Sequence, residues 1–380
     1  MKQYLADEET VMRISRGLNE PKWLLNERLR AFHIFQKLLL AEKKPQEFSA
    51  FIFGSENHIA KKPVGKFEGV HVDSLHDLLE SKDGRDAIAQ NMFKSRMGNP
   101  IRGIDEAFVG AFFTECNFFG TDSCDAESEK ENGPLGTRTK FSANFSSCGG
   151  VSLNFFIVSS GTELDCSIES SSHTCNSFGI NEFYVFDEAD VLFRSKVDSL
   201  GAEGVNTTNR INLNRINLFA VNKSASATVR SLHLSSGKSK TEVMLFGEDS
   251  EANVRESFAL GSGTAHISSS VAHLASNTDS SVTMNGALDG NARASVRGKI
   301  SIPKNIKSAT SFLEERVLLL SEEASAEAIP LLEIESNDVD VGHSASVSDI
   351  TDEQRFYARS RGLNETKIKR MVFEGIVEME

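Results

Sequence analysis

The chain has 380 residues and 39% hydrophobic content, enough to bury a core without disulfide or metal staples, either as one elongated domain with appendages or as two domains. Its formal net charge of −13 repels phosphate backbones and acidic membrane surfaces, and no Lys/Arg cluster offsets that field, so neither nucleic acid nor membrane is an expected partner. The most apolar stretch, residues 107–113, is far below the ~20 residues of a membrane helix. The five cysteines are an odd number with no basic-then-apolar leader ahead of them, so they read as thiols of a cytoplasmic protein.

The first forty residues read as helical, with Asn19 as an N-cap, Pro21 in the first turn, and Leu25, Leu29, Phe32, Phe35 and Leu39 on one stripe. The chain then turns at Pro45, and residues 54–102 carry no assignable pattern. From about Ile104 the texture changes to Phe, Ser, Thr, Asn and Gly with short alternating runs such as 151–158, which favour strands. A polar loop over 121–139, holding Asp122, Asp125, Glu127, Glu129 and Glu131, is expected to be disordered.

Between Ile211 and Ser348 short runs (216–221, 228–234, 242–246, 281–285, 294–296, 299–302, 317–320 and 331–335) alternate with turns. No helix-period stretch separates them, which argues against a doubly wound α/β fold. A β-sandwich or barrel and a parallel β-solenoid both remain open, and the small Ser/Ala-rich strands favour the solenoid. Two short helices follow. Thr351-Asp352-Glu353-Gln354 is a capping box, Gly362 a left-handed stop, and Asn364 a cap for a helix whose Ile368, Met371, Val372, Gly375, Ile376 and Met379 recur at helical spacing. That apolar face can dock on its own solenoid or on a partner.

Few motifs carry chemistry. Gly237-Lys238-Ser239 resembles the end of a phosphate loop, but Leu232 stands where the motif needs glycine, so it reads as a hairpin turn, like Gly261-Ser262-Gly263. Cys166, His173 and Cys175, with Cys116 and Cys124, can supply soft metal ligands. Their spacing fits no compact knuckle, and buried free thiols are the plainer reading. No Gly-x-Ser-x-Gly elbow or His-Glu-x-x-His helix occurs, so an enzyme is not expected. His343, between Gly342 and Ser344, can ligate iron through either ring nitrogen or hydrogen-bond locally.

From Ser295 to Gly362 an ordered string carries a resemblance: Gly298-Lys299-Ile300, Lys307-Ser308-Ala309, Leu318-Leu319-Leu320-Ser321, Pro330-Leu331-Leu332-Glu333-Ile334, Asn337-Asp338-Val339, Gly342-His343-Ser344-Ala345, and Asp352-Glu353-Gln354-Arg355-Phe356-Tyr357 leading to Ser360-Arg361-Gly362. The chain resembles the SufB/SufD family, scaffold subunits of the iron-sulfur cluster assembly machinery. The resemblance implies a mainly β chain: a right-handed parallel β-helix core at 104–348, an N-terminal helical and mixed region at 1–103, and a C-terminal helical region at 349–380. It also implies pairing through the β-helix, with a SufB-like paralogue or with itself as a homodimer.

The C-terminal helices would hold SufC, an ABC-type ATPase that alone binds ATP, through Phe356, Tyr357, Arg361, Gly362, Ile368, Met371 and Val372. A transient iron-sulfur cluster is implied, with no tightly bound cofactor. Where SufB carries an essential cysteine this chain has Glu315, and where SufB flanks its histidine with glutamates it has Gly342 and Ser344. The chain is therefore similar to SufD, with His343 retained as an iron ligand. Glu315 reads as a second oxygen ligand or as an exposed structural glutamate. The rival readings are a solenoid enzyme acting on acidic polysaccharide and a purely structural subunit with His343 idle.

Overall fold

The computed structural model describes residues 7–42, 64–80, 104–121, 139–147, 150–171, 176–198 and 212–377. Helices α1 (Glu8–Gly17) and α2 (Lys22–Glu42) come first, then β1 (Val64–Glu68), β2 (His71–Ser74), α3 (Leu75–Glu80) and α4 (Ile104–Phe112). The strands that follow are β3 (Glu115–Gly120), β4 (Thr139–Ser147), β5 (Gly150–Val158), β6 (Thr162–Ser171), β7 (Ser177–Val185), β8 (Asp190–Asp198), β9 (Leu213–Val221) and β10 (Ser226–His233). Next come β11 (Gly237–Leu245), β12 (Glu251–Leu260), β13 (Thr264–His273), β14 (Asp279–Leu288), β15 (Arg293–Ile302), β16 (Ala309–Leu319), β17 (Ser325–Ala328), β18 (Leu331–Ile334) and β19 (Val339–Asp349). Helices α5 (Asp352–Ser360) and α6 (Glu365–Val377) close the described chain.

Successive strands alternate between two sheets, one ordered β1-β4-β6-β8-β10-β12-β14-β16-β19 and the other β17-β15-β13-β11-β9-β7-β5-β3-β2, with β18 also on β15. From β3 and β4 onward, neighbours within each sheet are parallel and lie one coil apart, as in the β10–β12 and β11–β13 pairs. The chain is thus mainly β, with a parallel β-solenoid core and helices at both ends; the sandwich alternative is set aside. Antiparallel pairs β1–β4 and β2–β3 close its first coils, while β19 is left as an edge at the far end.

Stacked coils put like positions one strand spacing apart, so the interior fills with side chains that tolerate a repeat of ~4.8 Å. Phe119, Phe156, Phe183 and Phe219 stack nearly parallel, with centroids 4.4, 4.2 and 4.5 Å apart. Beside them Asn117, Asn154, Asn181 and Asn217 form an amide ladder in which each Nδ2 donates to the next Oδ1, at 3.0, 2.9 and 2.8 Å. Register carries the same column on through Thr241, Ser269 and Gly298.

The outer face of the second sheet is covered by α2 and α4, whose Phe32, Phe35, Phe108 and Phe112 pack on Leu153, Phe155, Phe178 and Ile180. Buried on both faces, β5 and β7 show the near-continuous apolar texture of 151–158. Arg28 pins these helices to the solenoid. It is fully buried, donates to Glu20 (2.7 and 2.5 Å) and to the carbonyls of Ala111 and Phe113 (3.2 and 2.8 Å), and lies over the Phe113 ring. Charge and bonds are both satisfied, which is what makes a buried guanidinium tolerable.

Several local expectations change. Asn19 is a left-handed link between two helices (φ 50) and not the N-cap of α2; the cap of α1 is Asp7, whose carboxylate accepts from the Thr10 amide at 2.8 Å. Residues 104–112 form a helix, so strand texture begins at Glu115. Gly237 starts β11 and is not a hairpin turn; a Cβ there would meet the Leu213 carbonyl at 2.3 Å. The runs 294–296 and 299–302 are one strand, and β12 and β13 have no counterpart among the expected runs. Pro45, most of the 121–139 loop, Cys124, His173, Cys175 and Met379 lie outside the described residues. Among the described residues no helix is long and apolar enough to cross a membrane.

Candidate functional site at the terminal coil

The last coil differs from those before it. On β16, residues 309, 311, 313, 315 and 317 alternate inward, buried under the pleat. Their partners on β19 are 339, 341, 343, 345 and 347, which face the same side with no further coil beyond them. The opposite sheet ends in the short β17 and β18, with Pro330 between them. As a result Val347, Leu331 and Ile334 are exposed apolar side chains beside an unpaired edge, a combination that marks an interaction surface.

Glu315 and His343 both sit in this region. Glu315 is wholly buried, which corrects the reading of it as an exposed glutamate; Leu313 and Val317 on either side fix its face inward. Its Oε1 accepts from the Gly298 amide at 2.5 Å. Only glycine leaves room for that approach, because a Cβ at 298 would meet Leu313 at 2.3 Å and Glu315 Oε1 at 2.9 Å. Among the described residues Oε2 has no hydrogen-bond partner. Burial raises the carboxyl to about 7, and the Gly298 amide partly opposes that shift. His343 aligns with Leu313 and is exposed. The two side chains offer a buried carboxylate oxygen and an exposed imidazole. Among the described residues no group of three or more metal-ligating side chains forms.

The cysteine set does not assemble among the described residues. Cys116 lies on the outer face of β3 under the N-terminal helices and Cys166 inside the solenoid, both buried. Burial pushes the Cys166 thiol up, Asp165 adds to that, and Arg194 opposes it, so it is held as a protonated thiol.

Polar residues inside the solenoid escaped the sequence reading. Glu256, fully buried on β12, accepts from Thr241 at 2.6 Å and lies 2.8 Å from His233 Nε2. His273 bridges Thr278 and Ser280 at 2.7 and 2.9 Å, and Ser280 reaches Ser311 at 2.6 Å. Burial lowers its imidazole to about 4, against the pull of Asp279. The available signal was alternation: Ala252, Val254, Glu256 and Phe258 share one face of a strand.

The C-terminal hairpin divides the seven residues expected to bind a partner. Thr351 and Gln354 close the capping box, and Gly362 takes φ 84. Val372 and Ile376 face the chain's own solenoid in a cluster with Ala287 and Leu320, and Ile368 is buried. Lys369 meets Asp289 at 2.5 Å. Phe356, Tyr357 and Met371 stand 75, 62 and 52% exposed, and Arg361 and Gly362 are exposed beside them.

The profile described as SUF system FeS cluster assembly, SufBD core domain, matches residues 151–376, more than half of the chain. The chain belongs to the SufBD family. An iron-sulfur cluster assembly SufBD family protein of Mycobacterium leprae is 32% identical over 137 residues, 36% of this chain and 16% of that protein. One from Mycobacterium tuberculosis H37Rv is 35% identical over 106 residues, 28% of this chain and 12% of that protein. One from Staphylococcus aureus USA300 is 27% identical over 136 residues, 36% of this chain and 29% of that protein. The matched segments thus span a minor part of these relatives' own length. The SufBD core match takes in both the terminal coil and most of the helical hairpin.

Proposed function

We propose that this chain is a scaffold subunit of iron-sulfur cluster assembly, with a nascent cluster as its cargo and no chemistry of its own. Membership in the SufBD family supports the role in cluster assembly. The terminal coil carries the finer reading. It offers two ligand-capable side chains, Glu315 and His343, where a cluster needs more, and its apolar edge is open. The remaining ligands, thiolates above all, come from the partner seated on that edge: a SufB-like paralogue or a second copy of this chain. The exposed Phe356, Tyr357 and Met371 form the docking face for a SufC-type ABC ATPase, which binds ATP itself. Because α6 is packed on the solenoid through Val372 and Ile376, movement of a docked ATPase would act on the coils. The test is co-purification of a SufC-type ATPase with the full chain and with a chain ending at Ile350. Retention by the first alone is expected; no retention by either would remove the ATPase from the proposal.

A further inference from the structure

At the opposite end of the solenoid a pocket of about 410 Å³, counting the part open to solvent, lies between the α1–α2 turn, α3 and the start of β3. Leu75, Leu79 and Phe113 form its apolar wall, and Glu115, Cys116 and Asn117 contribute from β3. Glu20 also lines it, but its carboxylate is already bonded to Arg28.

Asn117 is the first rung of the amide ladder. Every bond in that ladder runs in one sense, Nδ2 of one coil to Oδ1 of the next, so the amide dipoles add as peptide dipoles do along a helix. The negative end is Asn117 Oδ1. Asn117 is 3% exposed, lines the pocket, and makes one side-chain hydrogen bond among the described residues, the one its Nδ2 donates to Asn154. Among the described residues no side-chain donor reaches its Oδ1, so the site favours a ligand that brings one. Glu115, two residues before Asn117 on the same face of the strand, adds a carboxyl that burial raises to about 7, with Arg215 pulling the other way. An N–H donor that carries positive charge satisfies both groups at once.

We propose that this pocket binds a primary ammonium group on a short apolar stem, with its N–H groups donating to Asn117 Oδ1 and the Glu115 carboxylate and its stem lying on Leu75, Leu79 and Phe113. This site is independent of the role in cluster assembly.

Calorimetric titration of the intact chain with n-butylammonium tests it, with n-butanol and butanoate as neutral and anionic probes of the same stem. Butylammonium is expected to bind at least about tenfold more tightly than either, and Glu115→Gln to weaken it by about tenfold. Bound butylammonium should also slow iodoacetamide alkylation of Cys116, followed by mass spectrometry, in the native chain and not in the variant. A lysine-containing peptide that binds more tightly than butylammonium assigns the site to a partner's side chain; a weaker one assigns it to a free amine. No binding of butylammonium, equal affinity for the three probes, or binding that leaves Cys116 alkylation unchanged would each overturn the proposal, and the three-probe comparison needs no variant to fold.

Discussion

His343 lies one coil beyond Glu315 on the same inward-turned side of the first sheet, in register with Leu313, yet Glu315 is sealed from solvent and His343 is exposed. The difference is the missing coil. Glu315 has β19 beyond it, while His343 has nothing, so one group pays desolvation and the other keeps its water.

That burial makes Glu315 a pH-dependent load on the fold. Its native carboxyl is raised from 4.5 to about 7, so between those values the native state holds a proton that the unfolded chain has released. Stability therefore falls as pH rises through this window. Glu315→Gln should stabilise the protein by on the order of 2 kcal/mol at pH 8 and change little at pH 4. Urea unfolding midpoints across that range would show it. A difference between native and variant that is independent of pH would mean the native carboxyl is not raised. Glu115 titrates in the same direction but is common to both proteins.

His273 works with the opposite sign. Its imidazole is lowered from 6.5 to about 4, so as pH falls through that window the unfolded chain takes up a proton that the native state refuses, and stability is lost. His273→Gln should flatten this acid limb. By NMR, the native His273 ring should show no titration down to about pH 5; a midpoint near 6.5 would contradict its place in the buried network.

The His233–Glu256 pair should be sharply asymmetric under mutation. Removing the imidazole leaves a carboxylate in the interior with only hydroxyl partners, so His233→Ala should cost about 3–5 kcal/mol. Replacing both with well-packed apolar residues should cost markedly less, because the desolvation of the pair disappears with it. Denaturant unfolding of the single and double variants is the measurement, and strictly additive losses would argue that the two groups do not interact.

On the hairpin, exposed and buried residues should separate by role. Met371→Ala and Phe356→Ala should weaken ATPase retention with little change in the stability of the free chain, since both side chains face solvent. Ile368→Ala should lower stability by about 2–4 kcal/mol, because it leaves a cavity at a buried position of α6. Retention left unchanged by both Met371→Ala and Phe356→Ala would place the interface elsewhere.

Much of this architecture was legible in the sequence, and where it was not the reason is physical. Alternation with small residues pointed to stacked strands, and the capping box at Thr351 and the stop at Gly362 stand as read. Strands β12 and β13 were missed because Glu256-Ser257 and Ser268-Ser269-Ser270 look like turns in one dimension, whereas a solenoid interior accepts serines and a glutamate that find partners in the next coil. Glu315 was read as exposed because glutamate is rarely fully buried; the inward Leu313 and Val317 were the better guide. His343 was noticed, but its strand was not, since Gly342-His343-Ser344-Ala345-Ser346 has almost no apolar content and is held only by pairing to β16. The Asn and Phe ladders have rungs 27 to 37 residues apart, with coil lengths too irregular to stand out as a repeat.

The central claim is that the open terminal coil forms an iron-sulfur site together with a partner. Anaerobic reconstitution with iron and sulfide, with and without a SufB-like chain and a SufC-type ATPase, followed by visible absorbance and repeated for His343→Ala, tests it most directly. Absorbance that develops only with the partners and drops in the variant is the expected result; identical spectra for native and variant chains in the assembled complex would contradict it and leave His343 outside the cluster site.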